Sequence, residues 1–240
     1  MNPKINKEKK INTYSSMDKN NNARLILDNG DLFVGKSFGY TKSIAGELVF
    51  NTGMVGYPKT LTDPSYKGQI LVLTYPIVGN YGVPEIKKNI YGIIKNFESE
   101  KIQISGLIIQ DYSFEYSHYS AIKSLSEWLI ENKIPALYDI DTRQLTKIIR
   151  TRGVMQAKII FDDKKDIESY LETTNFVDIV SSKNINKYGN GQNKVLLINC
   201  GAKNSIKNEL LKLDTSIIEV PWDYDFLDME IDGVLLSNGP

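Results

Sequence analysis

The chain has 240 residues, 41% of them hydrophobic and 24% charged, with 29 Lys plus Arg against 29 Asp plus Glu and a formal net charge of +0. That length holds one large domain or two small ones, and the composition is that of a globular protein. The balanced charge argues against nucleic acid as the main partner, the single cysteine excludes an internal disulfide, and no apolar run approaches the roughly 20 residues of a membrane-spanning helix.

Residues 1–22 are rich in Asn and Lys and too poor in apolar residues to offset the entropy of ordering, so a solvated, disordered tail is expected. Lys4, Lys7, Lys9 and Lys10 raise the question of a transit peptide. Such segments are Arg-rich and acid-poor, whereas this one carries Glu8 and Asp18 and has no arginine before Arg24. A cytosolic protein is therefore expected. Ala23 to Gly39 predicts a hairpin: Arg24 to Leu27, a turn at Asp28-Asn29-Gly30-Asp31, and a return through Leu32 to Gly35. Asn-Gly there suits a type I′ turn, which needs positive φ at both central residues.

Gly46 to Gly82 reads GELVFNTGMVGYPKTLTDPSYKGQILVLTYPIVGNYG. Two strand-like runs, Leu48 to Phe50 and Ile70 to Leu73, flank a stretch dense in Gly, Pro and hydroxyls, including Thr52, Tyr57, Thr60, Thr62, Ser65 and Tyr66. This predicts a shaped loop on a sheet and, on composition alone, no more than a surface loop. Gly92 to Glu100 is expected as a short helix or loop. Ile102 to Ile109 is expected as a strand, central because its end is wholly apolar.

Asp111 to Ser120 is polar and aromatic and holds the only histidine, His118. Without an acidic partner or nucleophile pattern it reads as a loop histidine among tyrosines rather than a catalytic base. Ser124 and Glu127 form a capping box for a helix through about Asn132, with Leu125, Trp128 and Leu129 inward. Ile134 to Leu137 is a short strand. Asp141-Thr142-Arg143-Gln144 is expected as a second capping box, for a helix that buries Leu145, Ile148 and Ile149, stops at Gly153 and is followed by a strand from Met155 to Phe161.

Asp162 to Asn193 is transitional, with a helix expected at Asp166 to Leu171 and an Asn-, Gly- and Lys-rich connection from Lys183 to Lys194. A strand (Val195 to Asn199), a helix (Asn204 to Leu213, with Ile206, Leu210 and Leu211 inward) and strands at Ser216 to Val220 and Gly233 to Leu236 then form a βαβ pattern, the signature of a doubly wound parallel sheet. Ligands in such sheets bind beyond the strand C-termini, where Asn199-Cys200-Gly201 and Ser237-Asn238-Gly239 lie.

Three segments of Gly46 to Gly82 carry a family resemblance. Gly46-Glu47 with Val49-Phe50-Asn51-Thr52, Met54 and Gly56-Tyr57 is similar to G-E-x-V-F-N-T-x-M-x-G-Y. Leu61 to Tyr66 with Gln69-Ile70 is similar to L-T-D-P-S-Y-x-x-Q-I. Thr74-Tyr75-Pro76 with Gly79-Asn80 and Gly82 is similar to T-Y-P-x-x-G-N-x-G. Together they resemble the small, glutaminase subunit of glutamine-dependent carbamoyl-phosphate synthetase. Asp139 to Thr146 continues the likeness through D-I-D-T-R-x-L-T. Leu236 to Pro240 resembles the start of L-S-N-G-P-G-D-P in the family's class I amidotransferase domain, and Asn199 stands where D-x-G-x-K has Asp.

The resemblance implies an α/β fold: a mixed, β-rich N-terminal domain of swivelling β/β/α type over 23–175, a linker over 176–193, and the start of a doubly wound amidotransferase domain over 194–240. It implies glutamine contacts at Ser65 and Gly239, the latter also serving an oxyanion site. No catalytic residue is expected in this chain, since the family's nucleophilic cysteine, histidine and glutamate follow L-S-N-G-P-G-D-P. Cys200 follows the first strand of its unit, with no histidine near it in sequence, and reads as a buried structural residue.

No metal or ATP motif is present, so ATP and Mg²⁺ are expected on the synthetase partner, a large subunit or fused domains, with L-glutamine as this region's ligand. About 45 residues of βαβ cannot close a core, so the chain is expected to be a fragment without glutaminase activity, its last part poorly ordered in isolation. The family product, carbamoyl phosphate, feeds pyrimidine or arginine synthesis. The competing readings are a non-catalytic docking module and an amidotransferase of GMP or anthranilate type, and the latter leaves Gly46 to Gly82 unexplained.

Overall fold

The computed structural model describes residues 22–161 and 174–240; the expected tail, apart from Asn22, and the helix expected at Asp166 to Leu171 lie outside them. The first hairpin pairs β1 (Asn22–Leu27) with β2 (Leu32–Ser37). Its turn differs from the expected type. Gly30 takes φ 88° while Asn29 keeps negative φ, because the Asn29 side chain accepts from the Asp31 N–H at 3.0 Å and closes the turn itself. The Leu27 N–H then bonds the Asp31 carbonyl at 2.9 Å, the pattern of a three-residue loop with one left-handed glycine.

Next come β3 (Ile44–Asn51), the short helix α1 (Tyr57–Leu61), a 3-10 turn at Pro64–Tyr66, and β4 (Gln69–Leu73). A long excursion holds β5 (Ile77–Val78) and β6 (Val83–Pro84); Gly92 to Glu100 within it is loop. Then follow β7 (Gly106–Ile108), β8 (Asp111–Tyr112), β9 (Ala121–Lys123), α2 (Leu125–Glu131), β10 (Ala136–Tyr138), α3 (Thr142–Arg152) and β11 (Met155–Phe161). Both helices start at the expected caps, the first as a full capping box and the second through the Asp141 side chain alone. Ser124 and Glu127 make the reciprocal capping box, and Asp141 accepts from the Gln144 N–H at 2.8 Å.

These strands close a barrel in the order β1-β11-β3-β4-β7-β10-β2, with β3, β4, β7 and β10 mutually parallel. Closure explains why the parallel strands read as unbroken apolar runs. Ile70 and Val72 of β4 point into a core shared with Leu25, Leu48, Ile108 and Ile159, under α3. Leu71 and Leu73 point outward into a second core with Phe38, Leu61, Leu107 and Leu129. Period-two alternation persists, but both faces are covered. Each such buried side chain contributes about 1.5–3 kcal/mol.

The outer core ends at Tyr57, whose buried hydroxyl donates to the Gly82 carbonyl at 2.7 Å. Burial pushes this phenol well above its ordinary value of 10.0. The folded state therefore holds the proton longer than the unfolded chain does. Stability is full below pH 10 and falls above it, by at most about 1.4 kcal/mol per pH unit for this group. Tyr57→Phe is expected to lose about 1 kcal/mol at neutral pH and to flatten the alkaline limb of a urea-midpoint against pH curve; an unchanged limb would contradict the assignment.

The second unit contains α4 (Phe176–Val180), β12 (Asn186–Tyr188), β13 (Asn193–Asn199), α5 (Asn204–Leu210), β14 (Thr215–Pro221) and β15 (Gly233–Leu236). Its sheet runs β12-β14-β13-β15, with β13 parallel to both β14 and β15. The stretch expected as a linker is structured here. Asn186 and Tyr188 place β12 antiparallel on β14 because both side chains donate to Glu219. Helix α5 also differs from expectation. It buries Asn204 and Lys207, while Ile206 is only half-buried, because its polar face meets the barrel unit and Glu219. The Asn204 N–H bonds the Glu98 carbonyl at 2.9 Å, and Asn208 donates to the Ile94 carbonyl at 2.9 Å. The unit is thus held against the barrel rather than standing alone.

Candidate functional site

The 3-10 turn at Pro64–Tyr66 is built to present one hydroxyl. Pro64 presets the turn, and Asp63 Oδ1 accepts from the Ser65 N–H at 3.0 Å. Tyr66 is tied back to β3 by Asn51, which donates to its hydroxyl at 2.9 Å. Ser65, between these ties, faces the second unit. The other Asp63 oxygen lies 2.6 Å from Lys203 Nζ, so the turn is also fixed to the start of α5.

Across the seam, the parallel pairing of β13 with β15 sets their C-terminal ends side by side. The Asn199 side chain accepts from the Gly201 and Ala202 N–H groups, each at 2.8 Å, and shapes the first end. The Cys200 N–H donates to Ser237 Oγ at 2.9 Å and ties the first end to the second. Asn238 Nδ2 then donates to Ser65 Oγ at 2.7 Å, joining residues 173 positions apart. Gly239 lies so close to the Cys200 carbonyl that a Cβ there would overlap it. Ser65 and the turn containing Gly239 are therefore neighbours through Asn238, and both ends of the sheet reach the same seam.

Cys200 is half-buried, and burial pushes its thiol up, away from the reactive thiolate. His118 sits elsewhere, in the loop before β9. Its Nδ1 lies 2.8 Å from Ser120 Oγ, and its ring packs on Tyr81 and Tyr119. Cys200 thus enters the seam through its backbone only, and His118 lies outside it. Among the described residues no group of three His, Cys, Asp or Glu side chains is arranged to hold a metal, and no helix is long and apolar enough to cross a membrane.

Sequence reasoning missed Glu219. It is 2% exposed and accepts from Asn199 (2.8 Å), Lys207 (3.2 Å), Asn186 (3.1 Å) and Tyr188 (3.1 Å). Burial, together with the Glu219 charge, pushes the Tyr188 phenol up. The available signal was an acid inside the apolar strand SIIEV. Glu219 also accounts for asparagine at 199: the amide donates to the buried carboxylate, where an ionised aspartate would set like charges in contact.

A barrel unit and a βαβ unit thus meet at a seam of hydroxyl and glycine residues. The sequence profile of the carbamoyl-phosphate synthase small chain, CPSase domain, matches residues 25–159, and the chain belongs to that family. Its relatives include the human "Carbamoyl-phosphate synthase [ammonia], mitochondrial", 45% identical over 91% of this chain and 15% of that protein. "Multifunctional protein pyr1-3" of Dictyostelium discoideum is 44% identical over 90% of this chain and 11% of that protein. The "Carbamoyl phosphate synthase arginine-specific small chain" of Phaeosphaeria nodorum is 41% identical over 91% of this chain and 48% of that protein. The chain thus spans about 15% of the length of the human relative and about half of the fungal small chain. A solved aminopeptidase from Aneurinibacillus sp. strain AM-1 superposes over 82% of this chain and 48% of its own with a TM-score of 0.35 at 10% identity, too low to bear on the fold.

Proposed function

We propose that this chain is the glutamine-binding side of the glutaminase region in a glutamine-hydrolysing carbamoyl-phosphate synthetase. The observation that carries this reading is the 2.7 Å hydrogen bond from Asn238 to Ser65, which brings the two expected glutamine contacts, Ser65 and Gly239, to one seam. Because Asn238 donates, the Ser65 hydroxyl hydrogen remains free to point at an anionic group such as a substrate carboxylate. Gly239 carries no Cβ, which lets its backbone lie against the Cys200 carbonyl, and on this reading its N–H serves a developing oxyanion.

On this reading residues 23–175 are the small-chain N-terminal domain, of swivelling type. Residues 176–193 connect it to the opening part of a class I amidotransferase domain at 194–240. The cysteine, histidine and glutamate of glutamine hydrolysis are on this reading not Cys200, His118 or any residue of the seam. Ammonia passes to a synthetase subunit or fused synthetase domains that use ATP and Mg²⁺. Carbamoyl phosphate then serves pyrimidine or arginine synthesis, and the fungal relative's name points to the latter for that protein. A cytosolic location is part of this proposal; the human relative's name places that protein in mitochondria.

Ser65→Ala, in a polypeptide that carries this region and the cysteine elbow, is expected to raise the KM for glutamine about tenfold or more, since it removes a hydrogen bond to a charged group. Ammonia-dependent synthesis should be unchanged. An unaltered KM sinks the Ser65 assignment. The 240-residue chain alone is expected to release no glutamate from glutamine, because Cys200 lacks activation.

A second reading, a docking module without catalysis, is favoured by exposed apolar side chains: Met54 (65%), Val55 (67%) and Tyr119 (93%), beside a cleft lined by Tyr57, Tyr81 and His118. Normal partner binding by Ser65→Ala, with no glutaminase activity in the parent protein, would favour it.

A further inference from the structure

Behind the Ser65 seam lies a cavity of about 350 Å³ between the two units. The barrel side supplies Glu98, Glu100 and Gln103, and the second unit supplies Asn199, Lys207 and Glu219. Its volume falls at the low end of small-molecule pockets, roughly 300–1,000 Å³. Its charges are unequally committed. Glu219 is saturated by four donors, and the Lys207 ammonium is turned onto it. Glu98, only 7% exposed, has one close donor, the Ser205 N–H at 2.9 Å, and a looser ion pair with Lys59 Nζ at 3.8 Å on its other oxygen.

Gln103 is 4% exposed. Its amide nitrogen donates to Ser99 Oγ at 2.9 Å, while its Oε1 has no partner among the described residues. A buried acceptor without a donor costs about 1–3 kcal/mol, and a buried carboxylate with spare lone pairs adds to that imbalance. The cavity is rich in unused acceptors and negative charge, and its one ammonium is already spoken for.

We propose that this cavity is a binding site for a small organic cation with several N–H donors, a primary ammonium or guanidinium on a short carbon stem. Such a ligand bonds Glu98 and Gln103 from the barrel unit while it lies against the Asn199–Glu219 wall of the second unit. Its binding therefore tightens the contact between the units and acts on the seam from behind. The inference rests on the cavity alone and stands apart from the glutamine assignment.

The test uses the 240-residue chain with propylammonium and ethylguanidinium as probes, against neutral propionamide and anionic propionate at matched ionic strength. The readouts are thermal melting and calorimetric titration. Both cations are expected to raise the melting temperature saturably, and the two controls are not. Glu98→Gln keeps the acceptor to Ser205 but removes the charge, and should weaken the cations about tenfold. Gln103→Leu should weaken them about fivefold. Gln103→Glu, of the same size, should tighten them, and with Glu98→Gln it keeps the test decisive if Gln103→Leu does not fold. The proposal is overturned by no saturable response from either cation, by an equal response from propionamide, or by unchanged binding in both Glu98→Gln and Gln103→Glu.

Discussion

Lys207→Met is expected to destabilise the protein by about 4 kcal/mol, measured as a lowered urea midpoint at constant m-value. Lys207 Nζ lies 3.2 Å from Glu219 Oε1, with side-chain exposures of 11% and 2%. Methionine fills the space of the lysine stem but leaves a buried carboxylate without its counter-charge. The three neutral donors, Asn186, Asn199 and Tyr188, orient that charge without cancelling it. The double variant Lys207→Met with Glu219→Gln removes the charge and keeps an acceptor, so most of the loss should be recovered. A double variant as unstable as the single one would mean that the lysine stem packing, not the charge, carries the effect.

Gly239→Ala is expected to abolish the seam at little cost to the rest of the molecule. Its Cβ would meet the Cys200 carbonyl, a backbone group that cannot swing aside. Cys200 is itself held by the Ser237 hydroxyl and the Asn199 turn, so the strain passes to Asn238, and its 2.7 Å bond to Ser65 is broken. In a polypeptide with the complete glutaminase machinery, the loss should be about a hundredfold or more in glutamine-dependent kcat, comparable to removal of one oxyanion donor. Ammonia-dependent synthesis should be spared. Global stability should fall only by about 1–3 kcal/mol, since overpacking is confined to the end of β15. Full glutaminase activity in Gly239→Ala would remove Gly239 from the proposed site.

Both variants act on contacts that differ in how visible they are in the sequence. Ser65 and Gly239 are singled out by the sequence because each lies in a run of residues that resembles the family pattern. Lys207 and Glu219 were not, because an apolar-face reading of α5 favours Ile206 and the leucines over a lysine. The same limit affected the stretch before β13. Its Asn, Gly and Lys content suggested a connection, yet Asn186 and Tyr188 supply the side chains that fix β12 to Glu219. Polar residues that satisfy one another in the interior have the composition of a loop.

Local chemistry wrote most of the elements into the chain. Apolar, strand-like runs specified β1, β3, β4 and β11, the Ser124 and Asp141 caps started α2 and α3, and Asn29-Gly30 placed the first turn. Local periodicity tells which residues share a face but not which distant segment covers it. Closure of the barrel, which buries both faces of β4, therefore came only from long-range pairing. The meeting of Ser65 with Asn238, and the four donors gathered on Glu219, depend in the same way on how two units pack. Hydrogen bonds between residues far apart in sequence leave no periodic trace, because each partner is shaped by its own neighbours and finds the other only after folding.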